Sequence, residues 1–492
     1  ILFIELCTSL TTIKVNCLLA IALQKKFRPV VILREWSPFY EFFYKRVGVS
    51  EFIYLDKPPK KVDLDKIKHI WNRIKSSNQF LNFQFKSLRV GKFIASKILR
   101  EDELGQFDFN KIKKQKIMNL FIDSLSKINN FEKILKKKKV KFIFFNERGY
   151  SPAGEIFELS LKKNIKCIQW FGSPIDKFHS FKCYSWKTRE DHPLKISKST
   201  INKLLREDGK EKFSSKIMIH LKNHYYNEKG FNRQNLQKNK KIFNKSQLKK
   251  ILKIKDNKKI CVIFSHIFDD ATFFYGKSLF SSYEKWLKEV LLVIKNIKNI
   301  NWVVKVHPAN SLKNTYSLEE KLIKKIFNKI PENIKIVTPN SKINTYSFFT
   351  TTDYALTVRG TVGCELACFG VPVITAGTGR YSNEGFTIDP KNKKEFFYYL
   401  NNLETIKKLS SKQIKIARIY TYGSLIGRSI KMDAINIDYN FNGFSLEKSN
   451  VVKIPENYEE LIVKSDVKKI REWINGNCLN ELLELSNKKT LQ

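Results

Sequence analysis

Short apolar runs recur in two separate sets along this chain, each set punctuated by stretches of helical period, and that alternation constrains the fold more than any other feature. In the first set, RPVVIL at 28–33, EFIYL at 51–55 and VKFIFF at 140–145 read as strands. GEIFELSLKKN at 154–164 reads as a helix that leads into a further strand, IKCIQWF. The second set comprises KICVIFS at 259–265, NWVVKV at 301–306, NIKIV at 333–337, DYALTV at 353–358 and PVITAG at 372–377. Between its first two members, SSYEKWLKEVLLVIKNI places Trp286, Val290, Leu291 and Ile294 on one helical face. Buried strands alternating with amphipathic helices imply βαβ units and a parallel sheet.

A chain of 492 residues is too long for one core. The expected organisation is an N-terminal Rossmann-like domain at 1–175, a basic helical insert and linker at 176–255, a C-terminal Rossmann-like domain at 256–400, and a helical region at 401–492. The insert is expected to be largely solvated, because NRQNLQKNKKIFNKSQLKKILKIKDNKK carries charge with little apolar period. The C-terminal helices are expected to pack back toward the first domain. Two such domains would face a cleft, and open α/β sheets bind ligands beyond the carboxyl ends of their strands.

The opening ILFIELCTSLTTIKVNCLLAIAL is apolar but interrupted by Glu5, Lys14 and Asn16. It falls short of a continuous membrane span and has no signal-peptide cleavage pattern, so a strand followed by a buried helix is expected. A segment preceding Ile1 is left open. Eight cysteines occur without a CxxC or any metal-like spacing, which fits a reduced, cytoplasmic protein and no metal site. The net charge of +44 is spread along the chain. It arises from a lysine-rich composition, and it also favours contact with an acidic glycan or an anionic membrane surface. A nucleic-acid-binding protein is the competing class that such a charge suggests. The dispersed basic residues and the lack of an RRM, KH or helix-turn-helix signature argue against it.

The stretch VRGTVGCELACFGVPVIT at 358–375 carries the densest chemistry. Strand DYALTV ends, Gly360 and Gly363 allow close approach of a ligand, and the helix start presents free N–H groups. Arg359 adds a forked cationic donor and Thr361 a hydroxyl. Glu365 either accepts from the two hydroxyls of a ribose or simply sits favourably in a first helical turn. The next strand opens into a glycine-rich loop bearing Arg380, Tyr381 and Glu384. VVKVHPAN puts Lys305 and His307 at a strand tip, with His307 either a core residue or a donor to a leaving phosphate. After the first strand of this half, Asp269 and Asp270 could act in acid–base or metal chemistry, or cap a helix. In the first half Glu147 follows a buried strand, as a general base or as a loop residue beside Arg148.

KVHPAN followed by VRGTVGCELACFGVPVITAG resembles bacterial capsule polysaccharide biosynthesis proteins, the group that includes Kdo transferases of capsule export systems. DDATFFYG…SYEKWL, GRYSNEGFTIDP and, nearer the N-terminus, FKSLRVGKFIASKILR extend the resemblance over roughly 85–390. It implies a GT-B-like α/β fold and a glycosyltransferase of capsule or other surface polysaccharide. The His-Pro pair and the glycine loop with Glu are shared with sialyltransferases, glycerophosphotransferases and UDP-GlcNAc 2-epimerases, so a nucleotide-sugar 2-epimerase is the alternative activity. By motif position the resemblance implies His307, Thr361, Gly363 and Glu365 as contacts to the donor nucleotide. Together with the other polar residues of these loops, the expected donor site is Lys305, His307, Arg359, Gly360, Thr361, Gly363, Glu365, Arg380 and Tyr381. Catalytic candidates are Glu147, Asp270 and His307, since no clear counterpart of the acidic motif of several relatives is present. The implied partners are a CMP- or UDP-linked sugar donor and a glycan or lipid-linked glycan acceptor at the inner face of the plasma membrane. No cofactor is expected, transfer is expected to be metal-independent, and no nucleic acid is expected as a partner.

Overall fold

The computed structural model describes residues 1–485 apart from 7–9, 174, 176, 227–235, 238, 256, 313–316 and 436–456. Its strands, in chain order, are β1 Leu2–Glu5, β2 Val30–Leu33, β3 Glu51–Tyr54, β4 Phe142–Phe145, β5 Lys166–Gly172 and β6 Phe178–Tyr184. There follow β7 Lys259–Phe264, β8 Ile300–Lys305, β9 Ile334–Val337, β10 Tyr354–Thr357, β11 Val373–Thr375 and β12 Ile430–Lys431. They form two sheets in two compact units. One unit comprises Ile1–Lys97, Asp108–Arg189 and Arg428–Leu485, the other Ile98–Phe107 and Glu190–Gly427.

The first unit holds a seven-stranded sheet in the order β12-β6-β5-β4-β1-β2-β3. From β5 to β3 the strands are parallel, with Leu2 opposite Val30 and Ile143. The parallel part has helices to cover both faces, which is why its strands are apolar on consecutive positions rather than alternate ones. Helix Leu10–Leu23 is buried along almost its whole length, and the polar residues that interrupt the opening run answer one another. Asn16 donates to the Glu5 carboxylate at 3.0 Å and accepts from the Trp170 indole at 3.0 Å, while the Tyr44 hydroxyl also donates to Glu5. No helix among the described residues is long and apolar enough to cross a membrane.

The region 176–255 differs from the solvated insert expected of it. Its start supplies β6, which pairs antiparallel with β5. Helices Lys198–Glu211 and Phe213–Tyr226 then bury Ile201, Leu204, Phe213, Ile217 and Leu221 in the second unit. One apolar residue per turn is enough to dock a helix; abundant lysine on the other faces hides that stripe. Beyond Gly427 the chain returns to the first unit. There β12 pairs with β6, and Leu461, Val467, Ile470 and Ile474 of the last two helices share a core with Ile13 and Val15.

The second unit is built on a five-stranded, wholly parallel sheet in the order β11-β10-β7-β8-β9. The chain builds β7, β8 and β9 outward in one direction, then crosses back to lay β10 and β11 on the other side of β7. The order therefore reverses between β7 and β10, and loops leaving the carboxyl ends of these two strands diverge there. Trp286, Val290, Leu291 and Ile294 pack beneath this sheet, as their helical spacing requires.

Burial raises the Glu5 carboxyl from its ordinary 4.5 to about 8, so the folded chain holds it as the neutral acid at pH 7. The stability this favours is present below pH 4.5 and is lost as pH rises through 8, because only the unfolded chain ionises freely in that window. Glu5→Gln should therefore raise the melting temperature at about pH 8 and change it little at about pH 4. Thermal melts at both values check this; an equal shift at both would disprove it.

Candidate functional site

The loops that follow β7, β8, β10 and β11 all leave the same end of the second sheet, and the residues singled out from the sequence of this half lie on them. The β10 loop is fixed from beneath. His266, two residues past β7, accepts at Nε2 from the Arg359 N–H at 3.1 Å and meets the Thr357 hydroxyl at 3.2 Å. Thr357 Oγ1 in turn accepts from the Gly360 N–H at 3.2 Å. His266 stacks on Tyr283, and burial together with Arg359 holds its pKa well below the usual imidazole value, so it is a neutral acceptor.

Arg359 was expected to grip a phosphate, and the structure corrects this. Its guanidinium donates to the carbonyls of Phe274 and Tyr275 at 3.1 and 2.7 Å and to that of Lys277 at 3.3 Å. A buried guanidinium stays charged and must meet acceptors; here they are main-chain carbonyls of the neighbouring loop. Arg359 therefore fastens two loops together. Gly363 differs in the same way. A Cβ there would stand 1.9 Å from the Tyr381 hydroxyl, so the missing side chain makes room for Tyr381. Tyr381 is itself buried and donates to the Gly360 carbonyl at 2.7 Å. Both residues frame the loop.

Gly360 and Thr361 form the partly exposed rim. Helix Val362–Ala367 starts here and stops at Gly370, whose φ of +84° suits glycine at a helix end. Glu365 lies one turn in, 6% exposed, and accepts at Oε2 from the Tyr225 hydroxyl at 2.8 Å. Desolvation raises its pKa, opposed by hydrogen bonds from Tyr225 and Thr361 and by the charge of Arg380. Tyr225 comes from helix Phe213–Tyr226, so the lysine-rich insert delivers a side chain to the site. Sequence reasoning missed it, and the only available signal was the apolar stripe that ends at HYY.

Three cationic or potentially cationic side chains complete the group. Lys305 ends β8 at 4% exposure, and no carboxylate among the described residues pairs with it. Burial, with Lys240 adding repulsion, pushes it down to about 7. His307 is pushed down to about 4 by burial and Lys305. Its Nδ1 accepts from the Ala309 N–H at 3.2 Å, so the neutral ring carries its proton on Nε2. The backbone N–H of His307 donates to Ser265, which anchors the tip of β8 to that of β7.

Arg380, on the loop after β11, contacts His192 Nε2. His192 Nδ1 already accepts from the Leu194 N–H at 2.9 Å, so the proton of the neutral ring lies on Nε2 and faces the guanidinium. Two donors thus point at each other, and Arg380 Nε is buried without an acceptor among the described residues. His192 was not singled out from the sequence, since a histidine in a polar stretch carries no local signal.

Two further residues were singled out from the sequence. Asp270 is half exposed and forms an ion pair with Arg100 at 3.4 Å, a charge-balanced surface pairing unlike that of an activated acid or base. Glu147 follows β4 in the other unit, and its Oε1 accepts from the N–H groups of Arg148 and Gly149 at 2.6 and 2.8 Å. No cluster of metal-ligating side chains occurs among the described residues.

Residues 193–410 match the model of the family described as capsule polysaccharide biosynthesis protein. The match covers a little under half of the chain and begins at the segment that brings His192 and Tyr225 to the site. No curated protein matches. Among solved structures, the chain is similar to two Thermosulfurimonas dismutans KpsC Kdo transferases. The beta Kdo 2,7 transferase is 17% identical, with a TM-score of 0.35 over 63% of this chain and 84% of that one. The beta Kdo 2,4 transferase is 10% identical, with a TM-score of 0.34 over 57% and 78%. The S. aureus MnaA–UDP co-structure is 11% identical, with a TM-score of 0.29 over 86% and 91%. Likeness at these scores is distant, and the chemistry of the site rests on its own residues.

Because Tyr381 fills the space above Gly363, Gly363→Ala should cost about 1–3 kcal/mol, the usual range for overpacking. Gly360→Ala meets its first neighbour only at 3.1 Å and should cost less. Chemical denaturation of both variants checks this ranking, and a reversed order would contradict it.

Proposed function

We propose that the protein is a glycosyltransferase that moves a sugar from a CMP- or UDP-linked donor to a growing capsule or other cell-surface polysaccharide. The observation that carries this reading is a group of buried cationic side chains at the switch point of a parallel sheet, one of which, Lys305, has no carboxylate partner among the described residues. Lys305 has no counter-ion among the described residues, and Arg380 faces a donor instead of an acceptor. Burying a cation without a partner costs several kcal/mol, and a phosphate between these groups would remove that cost.

In this reading the donor phosphate lies against Lys305 and Arg380, with the His307 Nε2–H donating to it. The proton on Nε2 needs no change of tautomer, and phosphate charge would raise the pKa of His307 as the glycosidic bond breaks. Thr361 and Glu365 take the ribose hydroxyls, the Glu365 carboxyl being held beforehand by hydrogen bonds from Tyr225 and Thr361. Arg359, Gly363 and Tyr381 hold the loop that positions them. Glu147 is the proposed base toward the acceptor hydroxyl, its carboxylate fixed through Oε1 by two amides. Asp270 is assigned no catalytic part. The side-chain cations supply the positive charge a metal would otherwise provide, so turnover is expected to persist in EDTA. The net charge of +44 supports an acidic glycan acceptor or contact with anionic lipid at the cytoplasmic membrane face.

A thermal-shift screen of CMP, UDP and GDP, followed by turnover with and without capsule oligosaccharide, tests the proposal. Nucleotide release that needs acceptor supports transfer; interconversion of a nucleotide sugar alone would replace it with epimerisation. His307→Ala should lower turnover strongly while keeping the melting temperature, and Glu147→Gln should lower turnover with donor affinity intact. Glu365→Gln should weaken nucleotide binding by about 1.5–3 kcal/mol, the range for a hydrogen bond involving a charged group.

The pH dependence gives a separate check. The free protein keeps Lys305 charged below about 7, so affinity for UDP should fall as pH rises through neutrality. Lys305→Met should bind more weakly and lose that slope. Calorimetric titration from about pH 6.5 to about pH 9 measures it, and an unchanged slope in the variant would remove Lys305 from the site.

A further inference from the structure

Two cysteines 295 positions apart meet in the first unit, with Cys183 and Cys478 placing their Sγ atoms 3.6 Å from each other. A disulfide needs about 2.05 Å, so a small side-chain movement would close the gap. Backbone pairing holds the approach. The Cys183 N–H donates to the Asn480 carbonyl at 2.7 Å, and the Leu482 N–H donates to the Phe181 carbonyl at 3.0 Å. Residues 480–482 thus lie antiparallel along β6, next to the stretch that β12 covers at Phe178 and His179. The turn that presents Cys478 is unusual: Asn477, Cys478 and Asn480 have φ of +77°, +34° and +54°. Asparagine tolerates the left-handed region, but cysteine has no such ease. Lys166 braces the turn by donating from Nζ to the Asn477 carbonyl at 2.6 Å and to its side-chain oxygen at 3.2 Å.

The chemistry at this contact is asymmetric. Cys183 is partly exposed and Cys478 is buried. The Cys183 S–H, Lys166 and Lys141 favour negative charge on Cys478, while the thiol of Cys183 is pushed up by its neighbour and by burial. Other described cysteines lack such a partner arrangement. Cys364 and Cys368 donate to helix carbonyls at 3.0 and 3.2 Å, and burial raises the thiols of Cys17, Cys167 and Cys261.

We propose that Cys183 and Cys478 are a thiol–disulfide site whose oxidation fastens residues 477–482 to the edge of the first sheet. The oxidant is a low-molecular-weight disulfide of the glutathione class. Cys478 takes the shared proton as the Cys183 sulfur attacks the reagent, forming a mixed disulfide; the reagent thiolate that leaves takes up that proton and departs as a thiol. The Cys478 thiolate then displaces the second. Two protein thiols and one reagent disulfide become one protein disulfide and two reagent thiols. The site is independent of donor and acceptor chemistry, so its test does not depend on the proposed activity.

The full chain is equilibrated in glutathione mixtures from fully reduced to fully oxidised, quenched with an alkylating agent and mapped by mass spectrometry. The expected product is a single Cys183–Cys478 cross-linked peptide, reversed by dithiothreitol. Its formation should raise the melting temperature by about 3–6 °C, the scale for closing a very long loop in a chain of this size. Cys183→Ser and Cys478→Ser should each abolish both changes. Alkylation of both cysteines at every ratio, glutathione retained on Cys183 without a cross-link, or a cross-link to another cysteine would overturn the proposal. The wild-type map decides the matter even if a variant fails to fold.

Discussion

The Arg359 guanidinium is the contact on which the candidate site depends. It stands just past β10, is almost wholly buried, and donates to three carbonyls in the loop after β7. Loops usually run over the surface because their backbone groups need partners. Here one side chain satisfies three carbonyls at once, and the two loops flanking the strand-order reversal become a single rigid piece. His266, Thr357 and Tyr381 complete the frame from the other side. Thr361 and Glu365 stand at the helix start that these contacts anchor.

Charge is handled differently at the neighbouring loops. Arg359 meets three carbonyls within the fold; Lys305 has no carboxylate partner among the described residues. A fold with no other demand on it would pair or expose such groups, since an isolated buried cation is among the costliest features a protein can carry. The downward displacement of Lys305 and His307 is the electrostatic trace of that cost. Lys305, His307 and Arg380 all lie within the residues that the family model matches.

Much of the fold was legible in the sequence. The runs VVIL, FIFF, ICVIF, WVVK, YALT and VIT became strands within a residue or two of their expected bounds. Each is too apolar for a solvent-facing position and too short for a helix. His307 and Glu365 were also visible, because Pro308 and the glycines around them mark a strand exit and a helix entry. β6 was not: FHSFKCY mixes polar and apolar residues without a clean period, since it lies on the antiparallel side of the sheet. The partnership of Tyr225 with Glu365 spans 140 positions, and nothing local to either residue announces it.

The sequence by itself thus determined the element types, the two sets of parallel strands and the loops that would carry polar groups. Periodicity of burial is a local property, repeated every few residues, and it survives even a lysine-rich composition. Tertiary structure alone decided what each polar group does. Arg359 and Arg380 read alike as loop arginines, yet one meets three carbonyls and the other contacts the ring of His192. Cys183 and Cys478 read as scattered thiols until β6 and the final turn brought them within reach. Such roles depend on which atoms lie within about 3 Å of a charge or a sulfur, and residues distant in sequence supply those atoms.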